Sequence, residues 1–306
     1  MARPIALSVL VAAGFFSAIV AGKQQPAAPR VVEMEKLKEN LFLLRGGGGN
    51  TAVFVTSTGI VVVDTKIPGW GQPLLDKIKE ISSKPITTVI NTHTHFDHLG
   101  GNPDFPATVE IIAHANTKTN AEQMKPVTGI PLEQQTALTI FKNSNGRGLP
   151  QRTFTDRLTL GRGADQVDLH YFGRGHTNGD AWVVFPALRY VHAGDIFSGK
   201  NLPLLDVNNG GSGIEIGDTL AKAAAALNAG DSIITGHSTV MTVDDLKQYA
   251  EFNKEFAATV QAAKKAGSSP EQIIAEWKMP ATYTGYAAPQ PARLKANVEA
   301  VYNALK

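Results

Sequence analysis

The stretch NTHTHFDHLGG crowds three histidines and one aspartate into six positions of a chain that has only eight histidines. Imidazole and carboxylate groups at this density are typical of metal ligands. Side chains two residues apart in an extended segment point the same way, so His93 and His95 can converge on one ion. If the chain turns after Phe96, Asp97 and His98 can face a second ion. The spacing therefore predicts one short loop that serves two metal ions.

Two ions need more donors than this loop holds, because a zinc site takes about four ligands. The chain contains no cysteine, so the further donors must be His, Asp or Glu. Three candidates follow later in the sequence: His176 in GHTNGD, Asp195 in HAGDIF and His237 in TGHS. Each lies at or just beyond a predicted strand and beside a glycine. None is specific alone, but together with the first motif they predict a seven-residue metal site.

Apolar runs separated by turn residues predict the elements that must position these side chains. Strands are predicted over residues 41–44, 51–56, 59–64, 86–90, 109–113, 167–172, 181–185, 190–193 and 232–235. Helices are predicted over residues 72–81 and 216–229, and the chain is mostly helical from Val243 onward. Alternating strands and helices favour α/β layers. The first motif follows the strand ITTVI, and open α/β sheets commonly place ligands at the carboxyl ends of their strands.

Several other segments have predicted roles around the site. The glycine run at residues 46–49 is equally consistent with a flexible hairpin tip and with a flap over the site. Residues 118–152 and 208–213, which are rich in polar residues, Pro or Gly, are predicted to form pocket walls. The end of the chain is predicted to be a helix that covers the sheet, with an apolar stripe formed by Leu294, Val298, Val301 and Leu305.

Composition excludes some partners and indicates an export signal. The formal net charge is +2, from 29 basic and 27 acidic residues, and no cluster of Lys or Arg suits a nucleic-acid backbone. A positive start, an apolar run and the small residues Ala21 and Gly22 predict a signal peptide over residues 1–22. The mature protein is then periplasmic or secreted, without stable membrane association. An uncleaved N-terminal anchor is the alternative, because the apolar run spans about 18 residues.

The motifs, in this order, resemble those of the metallo-β-lactamase superfamily of dinuclear metal hydrolases. The resemblance extends from about Leu41 to His237. It implies a fold of the α/β class, a four-layer αββα sandwich. We expect a hydrolase domain over residues 31–242 and a C-terminal helical extension over residues 243–306 that packs on it.

The same resemblance implies a role for each candidate ligand. The first ion is expected to bind His93, His95 and His176. The second ion is expected to bind Asp97, His98 and His237. Asp195 matches the carboxylate that bridges both ions, and Asp97 is also expected to act in catalysis. Asp64 resembles an aspartate that supports the ligands without binding metal.

Departures from particular branches of the superfamily narrow the expected activity. The lack of cysteine excludes the lactamases that use a cysteine ligand, and His95 stands where the diiron flavoproteins have an acidic residue. A bridging Asp195 with a full histidine set is similar to hydroxyacylglutathione hydrolase and to acyl-homoserine lactonases. Exported lactamases with an all-histidine first site usually lack that aspartate. A β-lactamase proper is therefore an alternative, as is a non-catalytic metal- or partner-binding protein.

These observations predict an exported hydrolase that binds two divalent ions, with zinc expected and iron or manganese as alternatives. Two ions about 3.5 to 4 Å apart can share a hydroxide that attacks a carbonyl carbon. The expected substrate is a small molecule with an activated acyl bond: an ester, thioester, lactone or lactam. The loops around such a site set its specificity, so the sequence does not identify the substrate.

The remaining polar candidates are expected to have structural or exposed positions. His114 and His192 lie after or inside predicted strands and are predicted to be packed or to support ligands. His170 alternates with apolar neighbours and is predicted at a strand surface. Lys200 and Asn201 could bind a substrate carboxylate, although solvent exposure is the prediction for both.

Overall fold

The structure is a computed structural model that describes residues 30–305, so the predicted signal peptide lies outside the described residues and stays a prediction. The strands are β1 (Glu33–Lys38), β2 (Leu41–Arg45), β3 (Thr51–Val55), β4 (Ile60–Val63), β5 (Ile86–Asn91), β6 (Glu110–His114), β7 (Arg152–Phe154), β8 (Arg157–Leu160), β9 (Val167–His170), β10 (Trp182–Phe185), β11 (Tyr190–Gly194), β12 (Ser232–Thr235) and β13 (Met241–Thr242). The α-helices are α1 (Gly71–Ile81), α2 (Phe96–Leu99), α3 (Ala115–Gln123), α4 (Ile140–Asn143), α5 (Ile216–Ala226), α6 (Val243–Lys265), α7 (Pro270–Glu276) and α8 (Pro291–Ala304).

Within the described residues the strands form two sheets. The first contains β1 to β7 in chain order, antiparallel from β1 to β4 and parallel from β4 to β7. The second has the order β13-β12-β11-β10-β9-β8, in which β11 and β12 are parallel and the other neighbours are antiparallel. Parallel neighbours need a crossover, and α1 and α5 supply it in the two sheets.

Apolar side chains pack in three layers between and outside the sheets. Phe54 of β3 meets Phe185 of β10 edge to face across the space between the sheets, with ring centroids 5.2 Å apart. Leu74 and Ile78 of α1 cover the outer face of the first sheet. Helices α5 to α8 cover the outer face of the second sheet. These layers confirm the predicted α/β sandwich with two sheets flanked by helices and further helices at the C-terminal end.

Each predicted strand and helix is present, and all boundaries but one agree within two residues. The exception is α5, which ends at Ala226 instead of residue 229. Asp231 accepts a hydrogen bond from the backbone N–H of Asn228 at 2.9 Å and closes a turn there. Strands β1, β7, β8 and β13 were not predicted, because β1 is charged and mostly exposed and the other three have only two to four residues.

The C-terminal helices share a hydrophobic core with the second sheet. Leu246 of α6 and Val298 of α8 are fully buried in the same cluster as Trp182 of β10. Leu294 and Val301 of the predicted stripe are also buried, and Leu305 is partly buried. These helices complete the outer layer, while the domain boundary after residue 242 stays a prediction. Between residues 30 and 305, no helix combines the length and the hydrophobicity needed to span a membrane.

We expect Leu246→Ala to lower the free energy of unfolding by about 2 to 5 kcal/mol, because it removes buried methyl groups from the shared core. Lys247→Ala is the matched control: its side chain is 56% exposed, and the expected change is within about 0.5 kcal/mol. Urea unfolding followed by circular dichroism and by tryptophan fluorescence measures both. A separate transition that alone shifts in Leu246→Ala would contradict the shared core.

Candidate metal centre

The first motif begins where β5 ends and continues into the single turn of α2. His93 and His95 lie on the extended segment between these elements. Helix α2 begins at Phe96, and the backbone N–H of His98 bonds to the carbonyl oxygen of His95 at 3.0 Å. The chain therefore turns at Phe96 and not after it. The turn separates the first two histidines from Asp97 and His98, as the spacing predicts.

The other three candidates reach the same place from the second sheet. His176 lies in the loop between β9 and β10, Asp195 in the turn after β11, and His237 just after β12. Glycine is required at Gly236, because an added Cβ would collide with the carboxylate of Asp195. Strands β11 and β12 are parallel neighbours, so their carboxyl ends bring Asp195 and His237 together.

The seven side chains form two groups, and the donor atoms within each group lie within 4.8 Å of one another. The first group comprises His93, His95, His176 and Asp195. The second group comprises Asp97, His98 and His237. His176 Nε2 lies 3.0 Å from His95 Nδ1, and His98 Nε2 lies 3.3 Å from His237 Nε2. Ring nitrogens converge in this way around a shared proton or cation.

Asp195 lies between the two groups and contacts both. One of its carboxylate oxygens is 3.1 Å from His98 Nε2. The other oxygen is 3.2 Å from His237 Nε2 and 3.9 Å from His176 Nε2. This is the position expected of a carboxylate that bridges two ions, and ligation itself stays a prediction.

Buried acceptors hold the ring nitrogens that face away from the first group. His95 donates from Nε2 to the carboxylate of Asp206 at 2.8 Å. His176 donates from Nδ1 to the carbonyl oxygen of Leu204 at 2.6 Å. Each bond fixes the tautomer in which the inner nitrogen keeps its lone pair. The two imidazoles are therefore oriented as metal ligands.

Asp64, which is predicted to support the ligands, connects both groups. Its carboxylate accepts from His98 Nδ1 at 2.7 Å. It also accepts from the backbone N–H and the hydroxyl of Thr92, at 2.8 and 2.7 Å. The Thr92 hydroxyl lies 2.9 Å from His93 Nδ1. One buried carboxylate thus orients an imidazole of each group.

The donor set fits a divalent cation. His93 Nε2 is buried and has no hydrogen-bond partner within residues 30–305. A buried polar atom without a partner is costly, and a cation at the centre of the first group would satisfy it. Imidazole and carboxylate donors without a thiolate suit zinc, and they also accept iron or manganese.

The two groups differ in charge in the metal-free chain. Burial and the neighbouring imidazoles hold the pKa of His93 well below its usual range. Burial also lowers the pKa of His176, to about 3. Burial would lower the pKa of His237 too, but the carboxylates of Asp195 and Asp97 outweigh it and raise the pKa to about 9. At neutral pH His93 and His176 are therefore neutral, while His237 holds a proton.

The glycine run packs directly against the second group. An added Cβ at Gly49 would overlap the imidazole of His98. Lys66 is fully buried and donates from Nζ to the carbonyl oxygens of Leu44 and Gly49, at 2.7 and 2.6 Å. The loop is thus held against the site, which favours a covering loop over a free hairpin tip.

A cavity of about 470 Å³ opens onto both groups. Its lining includes His95, Asp97, Asp195 and His237. Val127 and Ile130 form part of its wall, as predicted for residues 118–152. Residues 211–213 line a separate groove of about 620 Å³ beside α8, contrary to the predicted role of residues 208–213. The larger groove contains none of the seven candidate ligands, so the smaller cavity is the candidate active site.

The other histidines have structural positions. His114 donates from Nε2 to the carbonyl oxygen of Thr155 at 2.8 Å. His192 Nε2 lies 3.1 Å from the carbonyl oxygen of Asn50. Both are packed, as predicted, and His170 is partly exposed on β9.

Lys200 and Asn201 differ from their predicted exposure. Lys200 forms an ion pair with Asp245 at 2.7 Å, and its side chain is only 26% exposed. Asn201 lines the cavity. Three residues that contact the ligands or the cavity were not predicted from the sequence: Thr92, Asp206 and Arg293. Asp206 lies in the loop sequence LLDVNN. The one feature there that could have pointed to a role for it is an aspartate at the start of a short helical turn.

The family described as the metallo-beta-lactamase superfamily matches residues 44–248 of this chain. That range is about two thirds of the chain and includes all seven candidate ligands. The chain belongs to the metallo-β-lactamase superfamily. The predicted family and the predicted class of enzyme, a hydrolase of this superfamily, are confirmed.

Named relatives have diverse activities. A metallo-beta-lactamase type 2 of Elizabethkingia meningoseptica is 26% identical over 208 residues, which cover 64% of this chain and 73% of the relative. A hydroxyacylglutathione hydrolase of Nostoc punctiforme is 27% identical over 176 residues, with coverage of 56% and 54%. The alpha subunit of a 2,4-dinitroanisole O-demethylase of Nocardioides sp. is 28% identical over 171 residues, with coverage of 54% and 46%. The chain thus spans about half the length of the last two.

Solved structures share the fold. A metallo-beta-lactamase from Pontibacter korlensis superposes with a TM-score of 0.58 at 18% identity, over 73% of this chain and 99% of that chain. A stereoselective inverting sec-alkylsulfatase from Pseudomonas sp. superposes with a TM-score of 0.69 at 15% identity, over 90% of this chain and 50% of that chain. At these identities the likeness shows the fold alone.

We expect Asp206→Asn to weaken binding of the first ion by about 10- to 100-fold, because His95 loses the anion that orients it. Asp168→Asn on β9 is the matched control, since Asp168 is also buried but bonds to Thr159 and Gln166 away from the centre. Competition with a fluorescent zinc chelator measures the affinity. Unchanged affinity in Asp206→Asn, or an equal loss in the control, would contradict this assignment.

Proton competition should distinguish the two ions. Below pH 9 the second ion must displace the protons of His98 and His237, whose pKa values the neighbouring carboxylates raise, so its affinity should rise by more than about tenfold per pH unit between pH 6 and 8. His93 and His176 are neutral over this range and add no such dependence to the first ion. Zinc titrations at pH 6, 7, 8 and 9 measure both affinities. Equal pH slopes for the two ions would show that this difference in protonation is wrong.

Proposed function

We propose that this chain is a dinuclear zinc-dependent hydrolase that cleaves an activated acyl bond in a small molecule: an ester, thioester, lactone or lactam. The observation that supports this most directly is the position of Asp195 between two groups of imidazole donors. Two ions that share a ligand can act on one bond, whereas two independent structural ions have no need of a shared carboxylate. Both groups also border one cavity.

The inner donor atoms indicate which residues would hold each ion. The first ion would bind Nε2 of His93, Nδ1 of His95 and Nε2 of His176. The second ion would bind Asp97, His98 and His237, with Asp195 shared. When bound, the pair would supply Lewis acidity to a carbonyl oxygen and lower the pKa of a water nucleophile towards neutrality. A serine or cysteine nucleophile is then not needed.

Asp97 can also act on the attacking water. Burial raises the pKa of its carboxyl group, but the charge of His98 and the hydrogen bond from His237 outweigh burial and hold the pKa at about 2. The carboxylate lines the cavity and is 22% exposed. It is therefore an anion at neutral pH, which can accept a hydrogen bond from water and orient it towards the substrate.

The cavity suits a small acyl compound. Its volume of about 470 Å³ lies within the range of roughly 300 to 1,000 Å³ that is typical of small-molecule sites. Apolar side chains form much of the wall: Ile67, Phe96, Val127, Ile130 and Leu204. Such a wall can pack against an acyl chain and excludes water from the polar groups opposite, which strengthens their electrostatic effect.

Two alternatives remain, each with a specific basis. The Elizabethkingia relative favours a β-lactamase proper, although Asp195 stands at the position where exported lactamases with an all-histidine first site usually lack an aspartate. A non-catalytic metal-binding protein is the second alternative. All seven candidate ligands face one another in two groups, and this favours the enzyme.

We expect the zinc-reconstituted protein to contain two equivalents of zinc and to hydrolyse at least one member of a panel of lactam, lactone, ester and thioester substrates. His93→Ala should lose at least about 100-fold in turnover, because it removes a donor to the first ion. His170→Ala is the matched control, as His170 lies on β9 outside both groups, and it should retain zinc and activity.

Plasma mass spectrometry measures the metal, and initial rates measure the turnover. Less than one equivalent of zinc in the wild type, or undiminished turnover in His93→Ala, would overturn the proposal. Two equivalents of zinc without hydrolysis above that of free zinc would favour the non-catalytic alternative. Turnover of the lactam alone would favour the β-lactamase.

A further inference from the structure

One cationic side chain enters the candidate active site from the C-terminal helices. Arg293 of α8 lines the same cavity as Asp97, Asp195 and His237. Within residues 30–305, no other Lys or Arg lines this cavity. The C-terminal helix therefore places a guanidinium group in the same cavity as the candidate metal ligands.

Most of the hydrogen-bonding capacity of Arg293 is unused. Within residues 30–305 its side chain makes one hydrogen bond, from Nη1 to the carbonyl oxygen of Leu202 at 3.3 Å, and forms no ion pair. Burial lowers the pKa of Arg293, which is the effect expected of a cation with incomplete solvation. A guanidinium has five N–H donors, so four remain for a ligand.

Other basic residues near the cavity have partners already. Lys200 pairs with Asp245 at 2.7 Å. Lys66 is fully buried beneath the glycine loop, where its Nζ bonds to two backbone carbonyl oxygens. Arg174 forms an ion pair with Glu215 and lines the separate groove. Arg293 is thus the basic group best able to receive an anion here.

The position of Arg293 is fixed by the packing of α8. The next residue, Leu294, is buried in the core that the C-terminal helices share with the second sheet. Asn297, one turn further along, donates from Nδ2 to the carbonyl oxygen of Pro203 at 2.9 Å. Arg293 and Asn297 therefore both bond to the segment that also carries Asn201 and Leu204 into the cavity wall. A residue held in this way can bind a ligand without much loss of side-chain entropy.

We propose that Arg293 binds a carboxylate of the substrate, so that the preferred substrate is an acyl compound with a free carboxylate near the bond that is cleaved. The guanidinium fork matches a carboxylate in two parallel hydrogen bonds, which selects this planar anion. Asn201 lines the same cavity and offers a neutral polar group. The inference rests on the proposed function, because it places the carboxylate relative to an acyl group held at the two ions.

The charge of the loaded site agrees with an anionic substrate. Two divalent cations would offset the carboxylates of Asp97 and Asp195 and the two that orient the ligands, Asp64 and Asp206, so the guanidinium of Arg293 would give the cavity an excess positive charge. A cavity of one sign with low-dielectric walls concentrates ligands of the opposite charge. A neutral substrate would leave the guanidinium partly buried and unpaired, at a cost in binding free energy.

The test compares two thiols that differ in charge at one end, 3-mercaptopropionic acid and its uncharged amide, 3-mercaptopropanamide. Both can bind zinc through sulfur, so a difference in affinity between them reports on the carboxylate. Isothermal titration calorimetry with zinc-loaded wild type should give at least about 10-fold tighter binding of the acid. Arg293→Met should remove that preference, and Arg293→Lys should retain part of it.

Lys295→Met is the matched control, because Lys295 lies on the same helix, is 64% exposed and is outside the cavity. It should retain the full preference, and zinc content is measured in every variant. This inference would be overturned if the wild type bound the two thiols with equal affinity, or if Arg293→Met kept the preference for the acid. In that case the proposed function would still stand, provided that the wild type binds two zinc ions and hydrolyses a substrate. A wild type that takes up no zinc would overturn the proposed function and this inference with it.

Discussion

The buried carboxylate of Asp64 joins the end of β4 to both groups of the candidate metal centre. It receives hydrogen bonds from the backbone and hydroxyl of Thr92 and from the imidazole of His98. Its own backbone N–H donates to Ile90 at 2.9 Å, and its φ of 65° lies in the left-handed region. That conformation costs roughly 1 to 2 kcal/mol for a residue with a side chain, and the surrounding bonds hold it in place. Strands β4 and β5 therefore carry the first motif into position together.

The sandwich then supplies the donors that this motif lacks. The parallel pair β11 and β12 brings Asp195 and His237 from the second sheet to the carboxyl ends of β4 and β5. Buried acceptors orient the imidazoles of His95 and His176 before any ion arrives, so binding requires little rearrangement. The C-terminal helix α8 contributes Arg293 to the lining of the cavity. One fold thus positions the ligands, the apolar wall and a cationic group around a single space.

The local part of this site is predictable from sequence because its spacing encodes its geometry. Residues two apart in an extended segment share a direction, and a helical turn redirects Asp97 and His98. Buried strands are also predictable, since a short continuous apolar run is typical of a strand that is covered on both faces. The hydrogen bond from His95 to Asp206 joins residues 111 positions apart, and no spacing or periodic pattern in the sequence predicts it. Arg293 was placed on a predicted helix, but only the packing of that helix turns it into the cavity.

Zinc-edge anomalous diffraction from crystals of the zinc-loaded protein would show directly whether the centre holds two ions. We expect two peaks roughly 3.5 to 4 Å apart. One peak should lie among His93, His95 and His176, the other beside Asp97, His98 and His237, and the carboxylate of Asp195 should contact both. A single peak, or two peaks that do not share Asp195, would contradict a dinuclear centre.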